Sequence, residues 1–419
     1  MVLAKLLPAP SGRRNFVRIP LLATFVCLAI GCLALPKTDG VSLRQSSPPP
    51  PHTDFEIVDP VESQAVDPAA PHAARKYETF ADRVLDIDAG EAPVPSARYA
   101  MLDDIIDDVK ARVTFDPTLK HPEAQRRQAG LILDTIDDVL TDHNFLYPPG
   151  DYDVTSLRSA LAPQTFDRDT LERLLRVDVN RRRKAHARAH AGQPFYIIDC
   201  DISSFIYIGV ADALGFELRL VDLPDHMFVR WELPDGSHLN WDTNDAAVVP
   251  DEEYADDYAL NKRLRSQRVY LSSMSKREAE GFAYYLRATR FELRELEDRA
   301  IADLEKAREL YPQSTQAKSE LAWLYATVPG VDVARRKMAI ELAKSAVDLE
   351  PKVGDFWDSL AAAHAANGDF KWAVSCASKA EKLADNDEAR GEYRERRKAY
   401  ERGQMPSFQR EPEAQKQDG

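Results

Sequence analysis

"YIIDCDISSFIYIGVADALGF", residues 196–216, decides how the rest of this 419-residue chain is read. A short apolar lead, Tyr196 to Ile198, hands over at Asp199 to a run whose apolar residues recur at helical spacing, and Gly215 ends that run. One cysteine, Cys200, stands at the handover between two aspartates, Asp199 and Asp201. A thiol in that position is either a small buried apolar group or a nucleophile at a helix N-terminus, where the helix dipole favours the thiolate. Carboxylates beside it raise the thiol pKa and so oppose the second reading. Only one of the two aspartates needs to face the thiol, and Asp201 is available to cap the helix instead.

The segments that follow bear on the choice. "FELRLVD" (216–222) alternates as a strand, "HMFVRWEL" (226–233) reads as a second, "PDG" (234–236) as a tight turn and "SHLNWD" (237–242) as a third. A thiol needs a base to become a thiolate, and an imidazole is best held by a carboxylate that fixes its tautomer. His226 and Asp242 stand on these strands. His238 and Asn240 share the pleat face of Asp242, so both are candidates for the cleft, and His238 is the second candidate for the base. The backbone N–H of Cys200 is the expected oxyanion donor, with Gln193 or Tyr196 from "GQPFY" (192–196) as candidates for a second. Phe205, Tyr207 and Phe228 read as core. A zinc site built from Cys200, His226 and His238 lacks close-paired ligands, and neither a metal nor another cofactor is expected.

Cys200 with "SSFIYIGVADALGF" (203–216), "PDHMFVRW" (224–231) and "NWDTND" (240–245) resembles the transglutaminase-like superfamily. The resemblance implies a papain-like fold, in which a helix bearing the nucleophile packs on an antiparallel sheet bearing the histidine and the acid. It also implies the roles: Cys200 nucleophile, His226 general base and acid, Asp242 orienting carboxylate.

The C-terminal third repeats itself. With Pro312, Pro351 and Asp385 aligned as closing positions, small residues recur in the second helix of each unit: Ala300 and Ala307, Ala339 and Ala346, Ala373 and Ala380. The first helices align through Tyr284, Ala288 and Phe291, then Leu321, Ala322 and Tyr325, then Trp357, Leu360 and Ala361. This pattern resembles the tetratricopeptide repeat over about residues 281–386, with a short insertion at "TVPGVDV" (327–333) and an inter-helix turn at "NGDF" (367–370). Ser275 and Glu278 make a capping box at the first helix. Cys376 lies among small residues and reads as packing. Residues 387–403 read as an end helix, before a polar tail.

Between residues 77 and 184 the pattern is mainly helical, as in "MLDDIIDDVKARV" (101–113) and "QAGLILDTIDDVLTDH" (128–143). The basic run "NRRRKAHARAH" (180–190) reads as a solvated face. At the N-terminus "GRRNFVR" (12–18) resembles a twin-arginine export signature and precedes an apolar run from Ile19 to Pro36. "LAIGCLAL" (28–35) resembles a bacterial lipoprotein box, with Cys32 as the lipidated residue. An uncleaved anchor is the other reading, and either places the protein on the periplasmic side of a membrane. Residues 37–75, with "SSPPPPHT" (46–53), read as an extended tether. The net charge is −14, and −18 once the four basic residues of the first 35 are set aside, which argues against a nucleic-acid binder.

The expected architecture is α+β: a signal or anchor (1–36), a Pro/Ser-rich linker (37–75), a transglutaminase-like domain (76–270), a repeat solenoid (275–386) and an end helix with tail (387–419). The expected function is an exported cysteine enzyme acting on an amide or ester carbonyl through a thioacyl intermediate, with hydrolysis and transamidation both open. The repeats would recruit a protein or peptide partner, and the N-terminus would hold the membrane. The alternative is an envelope scaffold with a vestigial triad.

Overall fold

The computed structural model describes residues 75–90, 92–147, 156–176 and 180–406. The export signal, the lipidation candidate Cys32, the tether up to residue 74 and the tail after residue 406 lie outside the described residues. The fold is mixed α+β and mostly helical, with two small sheets among the described residues. Among these residues no helix is long and apolar enough to cross a membrane.

A helical lobe comes first: α1 (Phe80–Ala89), α2 (Ser96–Arg112) and α3 (Pro122–Asp142). α2 buries Leu102, Ile105, Ile106 and Val109, and α3 buries Ile132, Leu133, Ile136, Val139 and Leu140. These are the three-and-four spacings that put apolar side chains on one helix face. The chain continues through β1 (Phe145–Leu146), α4 (Leu157–Ala160), β2 (Gln164–Thr165), α5 (Arg168–Leu174), α6 (Arg181–Ala189) and β3 (Pro194–Ile197). β3 lies between β1, to which it is parallel, and β2, to which it is antiparallel.

The quoted stretch then forms α7 (Cys200–Leu214), which is buried from Ile202 to Ala211 and closes at Gly215 in the left-handed region. A helix apolar on all sides belongs inside a core, and α7 lies at the centre of the largest one. The expected meander follows as β4 (Leu218–Leu223), β5 (His226–Glu232) and β6 (His238–Asp242), joined by a short strand, β7 (Ala247–Val248), that the sequence did not announce. Between β4 and β5 the turn has only two residues: Pro224 presets its backbone, and Asp225 takes a positive φ of 57°. Met227, Val229, Trp231, Leu239 and Trp241 join α7 in the main core. The alternate residues Val221, Leu223 and Phe228 pack with Tyr254 and Leu271. Tyr254 is carried by α8 (Asp251–Asp257), which precedes α9 (Lys262–Ser266). Both faces of the sheet are covered, which is why β5 is buried at every position but its last.

The C-terminal third is three helix hairpins and an end helix: α10 (Lys276–Leu293) with α11 (Glu297–Leu310), α12 (Thr315–Thr327) with α13 (Val333–Leu349), α14 (Gly354–Ala366) with α15 (Phe370–Leu383), then α16 (Asp387–Glu401) against α15. The capping box forms as read: Ser275 Oγ accepts from Glu278 N at 3.2 Å, and Glu278 Oε2 accepts from Ser275 N at 2.7 Å. The six alanines at matching positions in the second helices are all buried, at 1% exposure or less. Their missing bulk lets paired helices approach, and Leu321, Tyr325 and Leu360 are buried beside them.

The first hairpin is built into the preceding lobe. Phe282, Ala283, Leu286 and Tyr311 belong to the same core as α1 and α7. A Cβ on Gly281 would lie 2.8 Å from both the backbone N and the Cβ of Tyr311, so this crossing admits only glycine. Arg290 donates to Asp88 at 2.7 Å, Arg287 donates to the Ile87 carbonyl, and Lys276 pairs with Asp212 at 2.6 Å. Further along, Glu350 Oε1 accepts from Tyr270 at 3.0 Å and from Thr315 at 2.6 Å.

Candidate active site

The handover from β3 to α7 places Cys200 as the first helical residue. The N-cap is Asp199, whose Oδ1 accepts from Ile202 N at 2.9 Å. Asp201, offered by the sequence as a possible cap, does not take that place: with Cys200 as the first helical residue, the carboxylate that can reach the third helical amide is the one just before the thiol. Asp201 faces the thiol instead, and Cys200 Sγ donates to its Oδ1 at 3.6 Å. The backbone N–H of Met227, the residue after His226, favours the thiolate and pulls the thiol pKa down. Cys200 is partly exposed, yet the protein around its sulfur, then Asp201 and Asp199, push the thiol well above its ordinary value, against the pull of the Met227 N–H.

His226 opens β5 and Asp242 closes β6, so antiparallel pairing puts both at the same end of the sheet. His226 Nε2 and Asp242 Oδ2 are 2.9 Å apart, with the two residues 7% and 3% exposed. An ionised carboxylate only accepts, so Nε2 carries the proton and Nδ1 is left as the basic nitrogen. Asp242 has four donors. His226 and Tyr254 (3.1 Å) share Oδ2, and the backbone N–H groups of Asn244 (3.0 Å) and Asp245 (3.1 Å) share Oδ1. Burial alone would raise this carboxyl, but His226, the Asp245 N–H and Tyr254 hold it below its ordinary value.

The loop after Asp242 is pinned from two sides. Ser203 of α7 and Thr243 share a hydrogen bond at 2.6 Å. Arg183 of α6, only 1% exposed, donates to Asn244 O at 2.7 Å, to Thr243 O at 3.1 Å and to Asp137 Oδ1 at 2.7 Å, with its guanidinium 4.1 Å from the Tyr147 ring centre. The reading of residues 180–190 as a solvated face is therefore corrected at Arg183. Its planar fork satisfies two carbonyls and a carboxylate at once, which makes burial of the charge tolerable.

The other candidates are placed elsewhere. His238 Nε2 pairs with Asp251 at 3.2 Å, so its acid is not Asp242. Asn240 does share the pleat face of Asp242, but it is 2% exposed and lines no open cleft. Its Oδ1 accepts from Arg230 at 2.8 Å, and its Nδ2 donates to Val249 O at 3.0 Å and Asp251 Oδ1 at 2.8 Å. Gln193 is exposed, with its N–H bonded to His190 O at 3.0 Å. Tyr196 lies in β3 and stacks on Phe145 at 5.0 Å, where burial raises its phenol. Among the described hydrogen bonds, neither Gln193 nor Tyr196 joins Cys200, His226 or Asp242. The Cys200 N–H stays the candidate oxyanion donor, because the first amides of a helix have no acceptor one turn back.

Arg183, Asp137, Asp251 and Tyr254 support the site and were not singled out in the sequence. A signal existed for the last pair. Asp251 follows Pro250 at a helix start, and three-residue spacing puts it on one face with Tyr254. A thiol at a helix N-terminus and a carboxylate-held imidazole are the parts that acyl transfer through sulfur needs. No known family model matches this chain, and no curated protein matches it either.

Proposed function

We propose that this chain is an exported cysteine enzyme of the transglutaminase-like type, with a papain-like lobe followed by tetratricopeptide repeats that recruit a protein or peptide partner. The observation that carries the reading is the 2.9 Å bond from His226 Nε2 to Asp242, with the N–H of the adjoining Met227 favouring the Cys200 thiolate. In the reaction, the Cys200 proton passes to His226 Nδ1 as the sulfur attacks an amide or ester carbonyl carbon. The carbonyl electron pair moves to oxygen, which the Cys200 N–H receives at the positive end of α7. The imidazolium, steadied by Asp242, gives its proton to the departing amine or alkoxide, and a thioacyl-enzyme remains. Water then releases an acid, or a second amine takes the acyl group.

The test is alkylation of Cys200 by iodoacetamide, followed by mass across pH. The enzyme reading expects His226→Ala to slow the reaction near neutral pH by about tenfold or more. Equal rates in the two proteins would overturn it. One observation favours a second reading, a scaffold with a vestigial triad: the thiol donates to Asp201, which stabilises the protonated, unreactive form. That reading expects a rate no faster than free cysteine and no response to His226→Ala.

A further inference from the structure

The candidates His238 and Asn240 and the unforeseen Asp251 belong to one device. Asp251 opens α8 and receives Arg230 at 2.6 Å and Asn240 at 2.8 Å on Oδ1, and His238 at 3.2 Å on Oδ2. Three residues of the β5–β6 pair thus fasten the first turn of α8 to the sheet. One turn later the same helix delivers Tyr254, whose ring stacks on Phe228 with centres 4.5 Å apart and whose hydroxyl reaches Asp242 Oδ2 at 3.1 Å. Tyr254 is 4% exposed, so the bond is made in a buried setting. We infer that Tyr254 is a positioning residue for the proposed acyl transfer: its hydroxyl competes with His226 for the same oxygen of Asp242 and so limits how strongly the acid holds the imidazolium.

This rests on the enzyme reading, and it says something that reading does not. A carboxylate that holds imidazolium too tightly leaves a base that gives its proton up reluctantly to the leaving group. Tyr254 draws off part of Asp242's basicity, and burial keeps its phenol protonated and hence always a donor. The other titratable groups around the pair are Cys200, Asp199 and Asp201 at the start of α7, Asp245 after β6 and Tyr258 after α8. All of them are unchanged in a Tyr254 variant.

The experiment is an NMR titration of the His226 ring protons, assigned by their loss in His226→Gln, in the full chain. Tyr254→Phe keeps the ring and its stack and removes only the hydroxyl. The expected result is a His226 pKa raised by about half a unit, the size of one shared hydrogen bond. In an Asp242→Asn background the same substitution should produce no rise, because the effect passes through that oxygen. An unmoved or lowered His226 in Tyr254→Phe overturns the inference, as does a rise that persists in Asp242→Asn. The enzyme reading is judged separately, by whether Cys200 alkylation depends on His226, so each can fail without the other.

Discussion

Along the second helices of the hairpins alanine recurs at matching buried positions, Ala300, Ala307, Ala339, Ala346, Ala373 and Ala380, among larger apolar residues such as Leu304, Leu342 and Val347. Around β5 and β6 the buried positions include His226, Arg230, Asn240 and Asp242, with Arg183 behind them. The first region is held by close approach, and any one alanine contributes little beyond the space it leaves. In the second, each buried polar group is stable only while its partner stays in place. Helix stacking therefore degrades gradually under substitution, whereas the sheet end fails as a set. A molecule that must keep a thiol, an imidazole and a carboxylate in register gains from the second arrangement, at some cost in tolerance.

Five substitutions probe this contrast. The largest effect belongs to Arg183→Met, which strands Asp137 and the Thr243 and Asn244 carbonyls. Urea unfolding should show a loss of about 3–5 kcal/mol, and a value near zero would mean that the loop is held by other means. Ala373→Leu overfills a helix contact and should cost about 1–3 kcal/mol, measured the same way. If it matched Arg183→Met, the contrast between the regions would fall. The paired aspartates come next. Asp199→Ala removes the α7 cap and should lower stability by about 1 kcal/mol. Asp201→Asn should leave the unfolding midpoint nearly unchanged and speed Cys200 alkylation severalfold at neutral pH, because the carboxylate that raises the thiol is gone. The smallest effect at neutral pH is the dependence contributed by Asp242. Its folded pKa is depressed, so its stabilisation is complete above the ordinary carboxylate value of about 4 and is lost as pH falls below that. The stability difference between the wild type and Asp242→Asn should shrink in urea titrations taken below about pH 4, as the carboxylate becomes protonated.

The two regions also differ in how much of them could be read in advance. The hairpins were legible because their packing is written in short-range periodicity: Ala300 and Ala307 are two turns apart on one helix, and Ser275 with Glu278 is a local cap. The strands were legible from alternation and from the turn residues between them. His226 and Asp242 could be paired because they stand on neighbouring strands. Arg183 could not be assigned, since the carbonyls it binds lie some sixty residues away and its neighbours Arg181 and Arg182 are exposed. The cap offered to Asp201 falls to Asp199, one position earlier. Which of them caps depends on whether the first helical residue is Cys200, and helix boundaries are soft in sequence by about that much. His238 and Asn240 were rightly put on the face of Asp242, but the helix they fasten comes later in the chain and is rich in acids that look solvated.

The glycine-only crossing of Gly281 against Tyr311 has a consequence in time. Cys200 is made 111 residues before Tyr311, which at common synthesis rates is a delay of roughly 5 to 20 seconds. Over that interval the helix carrying the thiol lacks the aromatic cover that the first hairpin supplies. The order of synthesis thus leaves the core around the thiol unfinished until the first hairpin has been made.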